Sequence, residues 1–75
     1  MILTEEQTFH RYKLYKHKDN IDVAILPIDL DVAKDGSFIL VVYWFLSNEH
    51  RTINTNIKDE IIIKKEDIVN WKLVV

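Results

Sequence analysis

The chain has 75 residues, a formal net charge of -2 and no cysteine, which excludes disulfide bonds and thiolate metal sites as sources of stability. The near-neutral charge argues against a dedicated nucleic-acid binder. Because 48% of the residues are hydrophobic, the chain can build a packed core, and we predict one small domain over residues 1–75.

The N-terminal residues indicate a cytoplasmic protein. Residues 1–7 contain no basic residue and no long apolar stretch, so we expect no signal peptide. No apolar run approaches the roughly 20 residues that a membrane-spanning helix needs. We therefore expect a cytoplasmic location and no membrane partner.

The first segment has two interpretations. Thr4 and Gln7 have the spacing of a capping box, which indicates a possible short N-terminal helix. The stretch Arg11–His17 alternates imperfectly between apolar and polar residues and predicts a strand. Lys18, Asp19 and Asn20 favour a tight turn after it.

A long second strand is predicted from Ile21 to Val32. Simple alternation places Ala24, Leu26, Ile28, Leu30 and Val32 on one face, and Val23, Ile25, Pro27, Asp29 and Asp31 on the other. Since proline has no backbone N–H to donate, Pro27 predicts that the strand is an edge at this point or carries a bulge.

The run from Phe38 to Leu46 is the strongest feature of the sequence. It contains nine consecutive apolar or aromatic residues between the turn at Asp35-Gly36 and the polar stretch 47–50. Alternation gives two apolar faces: Phe38, Leu40, Val42, Trp44 and Leu46 on one side, and Ile39, Val41, Tyr43 and Phe45 on the other. A strand that is apolar on both faces must be covered twice, and in so short a chain the second cover is expected to be a partner.

The last third predicts short elements. We expect strands over Arg51–Ile57 and Glu60–Lys64 separated by a turn at Lys58-Asp59, then a 3₁₀ turn over Lys65–Ile68 and a strand over Trp71–Val75. This pattern predicts an all-β domain, an SH3-like small barrel of about five antiparallel strands with a short 3₁₀ turn before the last strand. The alternatives are an OB-like barrel or open sheet, and an α+β fold.

Three segments carry a family resemblance: residues 15–24, the pair Tyr43-Trp44 and residues 63–72. They resemble short accessory proteins of T-even-type phages. The resemblance implies an early or accessory phage protein that acts in the host cytoplasm and modulates a host protein. It implies no particular site residue.

The residues that usually carry chemistry are sparse. His10, His17 and His50 lack metal-ligand spacing. Ser37 and Ser47 lie in turn segments without a glycine-rich elbow or a neighbouring histidine. We therefore expect no enzyme, no cofactor and no metal.

We predict a non-enzymatic protein-interaction module that binds and modulates a host protein. The predicted partner-binding residues combine aromatic and basic side chains: Tyr43, Phe45, Trp71, Arg11, Lys13 and Lys16. One alternative is a nucleic-acid-binding barrel that adds Tyr12, Tyr15 and Lys18 to these cations. The other is a self-associating structural protein whose second apolar face is covered by its own copy in a homodimer.

Overall fold

The computed structural model describes residues 8–48 and 50–74. Five strands and one 3₁₀ helix follow one another along the chain: β1 (Tyr15–His17), β2 (Asn20–Val32), β3 (Phe38–Ser47), β4 (Thr52–Ile63), the 3₁₀ helix (Lys65–Asn70) and β5 (Trp71–Leu73). Among these residues, no helix has the length and apolar character needed to cross a membrane.

The strands form one antiparallel sheet with the order β4-β3-β2-β1-β5. The first four strands pair in sequence, and β5 returns to the far side of β1 after the 3₁₀ helix. This architecture confirms the predicted all-β class, the five strands and the helical turn before the last strand. The more specific assignment to an SH3-like barrel stays a prediction.

The core lies on one face of this sheet. Its buried side chains are Phe9, Tyr15, Ile25, Phe38, Leu40, Val42, Ile63 and Ile68. The Phe9 ring makes edge-to-face contacts with Tyr15 at 4.8 Å and Phe38 at 5.2 Å between ring centroids, geometries that aromatic pairs favour. Phe9 and Ile68 therefore close this face from outside the sheet, each burial contributing about 1.5–3 kcal/mol.

A one-residue bulge in β2 corrects the predicted alternation. Pro27 pairs with Val42 and Asp29 pairs with Val41, so Ile28 is the extra residue. Before the bulge, Ile25 and Pro27 are buried on the core-facing side. Beyond it, this side is taken by Leu30, which is half-buried against the core, and by Val32, which is exposed. The predicted bulge is confirmed. Although β2 lies between β1 and β3, its pairing with β1 ends at Ile25, so no described strand pairs with Pro27 on the side away from β3.

Strand β4 is continuous where the sequence predicted a turn. Lys58 and Asp59 pair with Tyr43 and Val42, so the turn at these two residues is wrong. The irregularity falls earlier, because Trp44 pairs with Ile57 while Phe45 pairs with Asn54. These pairings leave two extra residues, 55 and 56, which form a two-residue bulge in β4.

The ends of the domain also differ from the predicted boundaries. Strand β1 begins only at Tyr15, because Tyr12 adopts φ 65° and donates its backbone N–H to the Pro27 carbonyl at 2.7 Å. Residues 8–12 are not helical, and the rest of the expected N-terminal helix lies outside the described residues. The 3₁₀ helix runs on to Asn70, beyond the predicted Ile68.

Candidate interaction surfaces

The face of the sheet opposite the core is apolar along its centre. We call it the outer face and define it by residues that pair across β2 and β3: Ala24, Leu26, Ile39, Val41, Tyr43 and Phe45. Paired residues in an antiparallel sheet point to the same side, and successive residues point to opposite sides. Ala24 is fully buried, and none of the six side chains is part of the core cluster on the other face or packs against it.

Two predicted partner-binding aromatics lie together on this outer face. Tyr43 and Phe45 occupy neighbouring rows and are half-buried, while Ala24 is fully buried between strands. Lys16 pairs with Ala24, which pairs with Phe45, so this lysine shares their row. The structure thus brings three of the six predicted residues onto one surface.

A second apolar surface lies on the core-facing side but beyond the end of the core. Two cross-strand rows build it, Ile25–Trp44–Ile57 and Val23–Leu46–Ile53. We call its three exposed aliphatic side chains, Leu46, Ile53 and Ile57, the hairpin patch. They are 56%, 43% and 58% exposed, because β3 and β4 continue past the residues that cover the core.

Trp44 connects the core to the hairpin patch. Its ring is half-buried against the core cluster. Its indole Nε1 donates a long, weak hydrogen bond to Asp59 Oδ2 at 3.5 Å. Asp59 therefore places a carboxylate at the rim of an otherwise aliphatic patch, in the arrangement common to protein interfaces.

Trp71 packs against the core and belongs to neither of the two apolar surfaces. It is half-buried against the core, and its ring meets that of His17 edge-to-face at 5.1 Å. His17 Nε2 lies 3.5 Å from Asp67 Oδ1, which also accepts a hydrogen bond from Asn70 Nδ2 at 2.6 Å. These contacts tie the 3₁₀ helix to β1. The predicted interface role of Trp71 thus gains no support from its position.

The predicted basic residues separate in space. The Arg11 guanidinium donates to Asp29 Oδ1 at 3.0 Å, and this hydrogen bond lowers the pKa of the Asp29 carboxyl. Both side chains are largely exposed, so the pair contributes little to stability. Lys13 is exposed in the segment before β1, and only Lys16 joins the two outer-face aromatics.

The residues of the nucleic-acid alternative do not form one stacking surface. Tyr15 is 4% exposed, and its hydroxyl accepts the backbone N–H of His10 at 2.8 Å. Burial raises the pKa of this phenol. Its ring is therefore unavailable to stack on a base, which leaves Tyr12, 71% exposed in a turn, as the accessible tyrosine of the pair.

An open groove of about 520 Å³ lies between the β2–β3 loop and the 3₁₀ helix. It is lined by Thr8, Val32, Gly36, Phe38, Lys65, Ile68 and Val69. A ligand site usually adds several convergent polar groups to an apolar wall, and this groove has few. Within residues 8–48 and 50–74, no group of histidine, aspartate and glutamate side chains could hold a metal ion.

Comparisons with known proteins add nothing to these surfaces: no protein-family model, curated protein or solved structure matches the chain. Tyr43 and Phe45 could be predicted from the sequence, whereas the hairpin patch was not predicted. Its signal was present in the alternation of Ile53 and Ile57 on the side of Trp44 and Leu46. The missing information was where the core ends along these strands.

Proposed function

We propose that this chain is a small non-enzymatic protein-interaction module, a phage accessory protein that binds and modulates a host protein. The observation that carries the proposal is the hairpin patch. Leu46, Ile53 and Ile57 are adjacent aliphatic side chains on two neighbouring strands, and each is at least 43% exposed. Grouped apolar exposure of this kind marks interaction sites more often than scattered single residues do.

The position of the patch supports binding by occlusion. It lies on the core-facing side of β3 and β4 but outside the core cluster, so a partner can cover it without displacing core side chains. Burying its side chains would contribute about 25 cal/mol for each Å² of apolar surface removed from water. The mechanism is coverage of a host surface, with no covalent step.

The edge of the sheet formed by β4 gives the partner a second point of contact. Strand β4 pairs with β3 on one side only, so part of its backbone is available to an added strand. The bulge at residues 55–56 interrupts this edge, which favours pairing with the segment from Ile57 onward. A partner strand there would lie beside the hairpin patch.

Site-specific photocrosslinking in a host lysate tests this function. A photoreactive amino acid at position 57 is expected to crosslink a discrete host protein. The matched control is position 62, which is on the same strand but on the opposite face and is 66% exposed. The double substitution Ile53→Ser and Ile57→Ser should abolish a crosslink formed from position 46.

Two results would contradict the proposal. One is the absence of any discrete host adduct from position 57 while the protein remains folded by circular dichroism. The other is an equal yield of the same adduct from positions 57 and 62, since that would reflect non-specific adhesion.

A further inference from the structure

The outer face carries an ordered distribution of charge around its apolar centre. At one end, Lys16 and Lys72 occupy the row of Phe45, and Lys58 flanks Tyr43 in the next row. Lys16 and Lys72 pair directly across β1 and β5. Like charges opposite each other destabilise a sheet unless an anion compensates them.

The other end of the outer face is acidic. Asp29 and Glu60 flank Val41 in one row, and Asp31 pairs with Ile39 in the next. Asp29 is already paired with Arg11. Asp31 and Glu60 make no ion pair with any residue of the described ranges, and the same holds for the three lysines at the opposite end.

An apolar strip joins the two ends. Ile39, Val41, Tyr43 and Phe45 follow one another along the outer side of β3, and all four are half-buried. Such a strip is the central contact when two sheets pack face to face, about 10 Å apart. The face therefore combines an apolar centre with charges of opposite sign at its two ends.

We propose that a second copy of this chain packs on the outer face, with its strands antiparallel to those of the first. The two copies are related by a two-fold axis that lies in the plane of the interface, perpendicular to the strands, and crosses β3 between Val41 and Tyr43. This rotation reverses the strand direction and places each basic end over the partner copy's acidic end. Lys58 then faces Glu60 of the second copy, and the two-fold axis repeats this pair. The same operation brings Asp31 toward the Lys16 and Lys72 pair.

The charge distribution selects this arrangement over the parallel one. With the strands parallel, lysines would face lysines and carboxylates would face carboxylates, an arrangement that costs several kcal/mol at an interface. The hairpin patch points to the other side of the sheet, so it stays available to a different protein. The inference thus goes beyond the proposed function, and either can fail alone.

Sedimentation equilibrium of the full chain, over a range of concentration at low salt, tests the dimer. The wild type should show a dimer of about 18 kDa, twice the 9.0 kDa chain. Lys58→Glu and Glu60→Lys should each raise the dimer dissociation constant at least about tenfold, whereas the double exchange Lys58→Glu/Glu60→Lys should restore it. Both residues are exposed in the chain, so these variants should keep their fold.

A second pair of variants tests the apolar strip. Phe45→Ser should abolish the dimer, whereas Leu46→Ser, at the next residue on the opposite face, should leave its mass unchanged. A monomeric wild type at every concentration would overturn the proposal. So would a dimer that ignores all outer-face variants but dissociates on Ile57→Ser, because its interface would then be the hairpin patch.

Discussion

At the level of single residues, the buried hydroxyl of Tyr15 links the N-terminal segment to the core. It accepts the backbone N–H of His10 at 2.8 Å while its ring packs against Phe9. Removing a hydrogen-bond partner leaves a desolvated donor, which costs more than the net value of the bond. The ring thus contributes to packing, and the hydroxyl orients the segment that carries Phe9.

We expect Tyr15→Phe to lower the free energy of unfolding by about 1–2 kcal/mol, because the His10 N–H loses its acceptor while the ring is kept. Urea denaturation measures the change. Tyr12→Phe is the matched control, since Tyr12 is 71% exposed, and it should change stability by less than about 0.5 kcal/mol. Equal effects of the two substitutions would contradict this role of the hydroxyl.

Asp67 makes the stability depend on pH. Its hydrogen bond from Asn70, and less strongly the contact with His17, lower the pKa of this carboxyl below its ordinary value of 3.8, and burial opposes them. A lowered pKa in the folded state means that the unfolded chain binds the proton more readily. The stabilisation is therefore present above pH 3.8 and is lost as the pH falls through the lower folded pKa.

Asp67→Asn should remove this part of the acid dependence. Unfolding free energies measured from pH 7 to pH 2 should fall less steeply below pH 4 for the variant than for the wild type. Asp22→Asn serves as the control, because Asp22 is exposed and makes no ion pair with the residues described. Identical slopes for the wild type and Asp67→Asn would show that Asp67 contributes nothing.

At the level of elements, the bulge in β4 depends on one unusual backbone conformation. Asn56 adopts φ 63°, and its N–H bonds to Asn54 Oδ1 at 2.8 Å. The Thr55 hydroxyl donates to the Trp44 carbonyl at 2.5 Å and accepts the N–H of Ile57 at 3.1 Å. Asparagine tolerates the left-handed region far better than β-branched residues do.

Asn56→Val should therefore destabilise the domain by about 1–2 kcal/mol, whereas Asn56→Gly should be close to neutral. Thermal unfolding of the three proteins measures the difference. Since residue 56 is exposed, the loss for valine would come from the backbone and not from packing. A valine variant as stable as the glycine variant would contradict this explanation.

The elements also show what the sequence can and cannot predict. The run from Phe38 to Leu46 defined β3 almost to the residue, because its apolar side chains have no other arrangement. Lys58 and Asp59 resembled a turn from composition, yet they are part of β4, because pairing with β3 overrides local preference. The bulge at Pro27 could be predicted, whereas the one at residues 55–56 had no proline to indicate it.

The whole molecule depends on a small core. A domain of this length has a free energy of unfolding of about 4–11 kcal/mol, and few side chains are fully buried. Leu40 is one of them, at 0% exposure in the middle of β3. The same strand carries Leu46, 56% exposed, so one element offers two leucines in opposite environments.

Leu40→Ala should cost about 2–5 kcal/mol, through lost burial and the cavity left behind. Leu46→Ala should cost less than about 0.5 kcal/mol. Circular dichroism during urea titration measures both. A comparable loss in the two variants would mean that the core extends over the hairpin patch.

The candidate surfaces are likewise a property of the whole molecule. Alternation predicted that Tyr43 and Phe45 share a face away from the core, and they do. It could not predict that Leu46 would be exposed on the core-facing side, since this depends on how far Phe9 and the 3₁₀ helix reach along the sheet. Periodicity determines which side a residue takes, and tertiary packing determines whether that side is covered.

Both bulges are positions at which the chain should tolerate a deletion. Removing Ile28 alone would make Pro27 and Asp29 neighbours in the chain while they stay paired with Val42 and Val41. The later β2 residues would then keep their sides, with Leu30 toward the core and Asp31 away from it. Removing residues 55 and 56 together would preserve every inward and outward position of β4, because an even number of residues keeps the parity of the pleat. Loss of residues should therefore be tolerated at the bulges themselves, at Ile28 in β2 and at residues 55–56 near the start of β4, so the hairpin could shorten without losing its aliphatic tip.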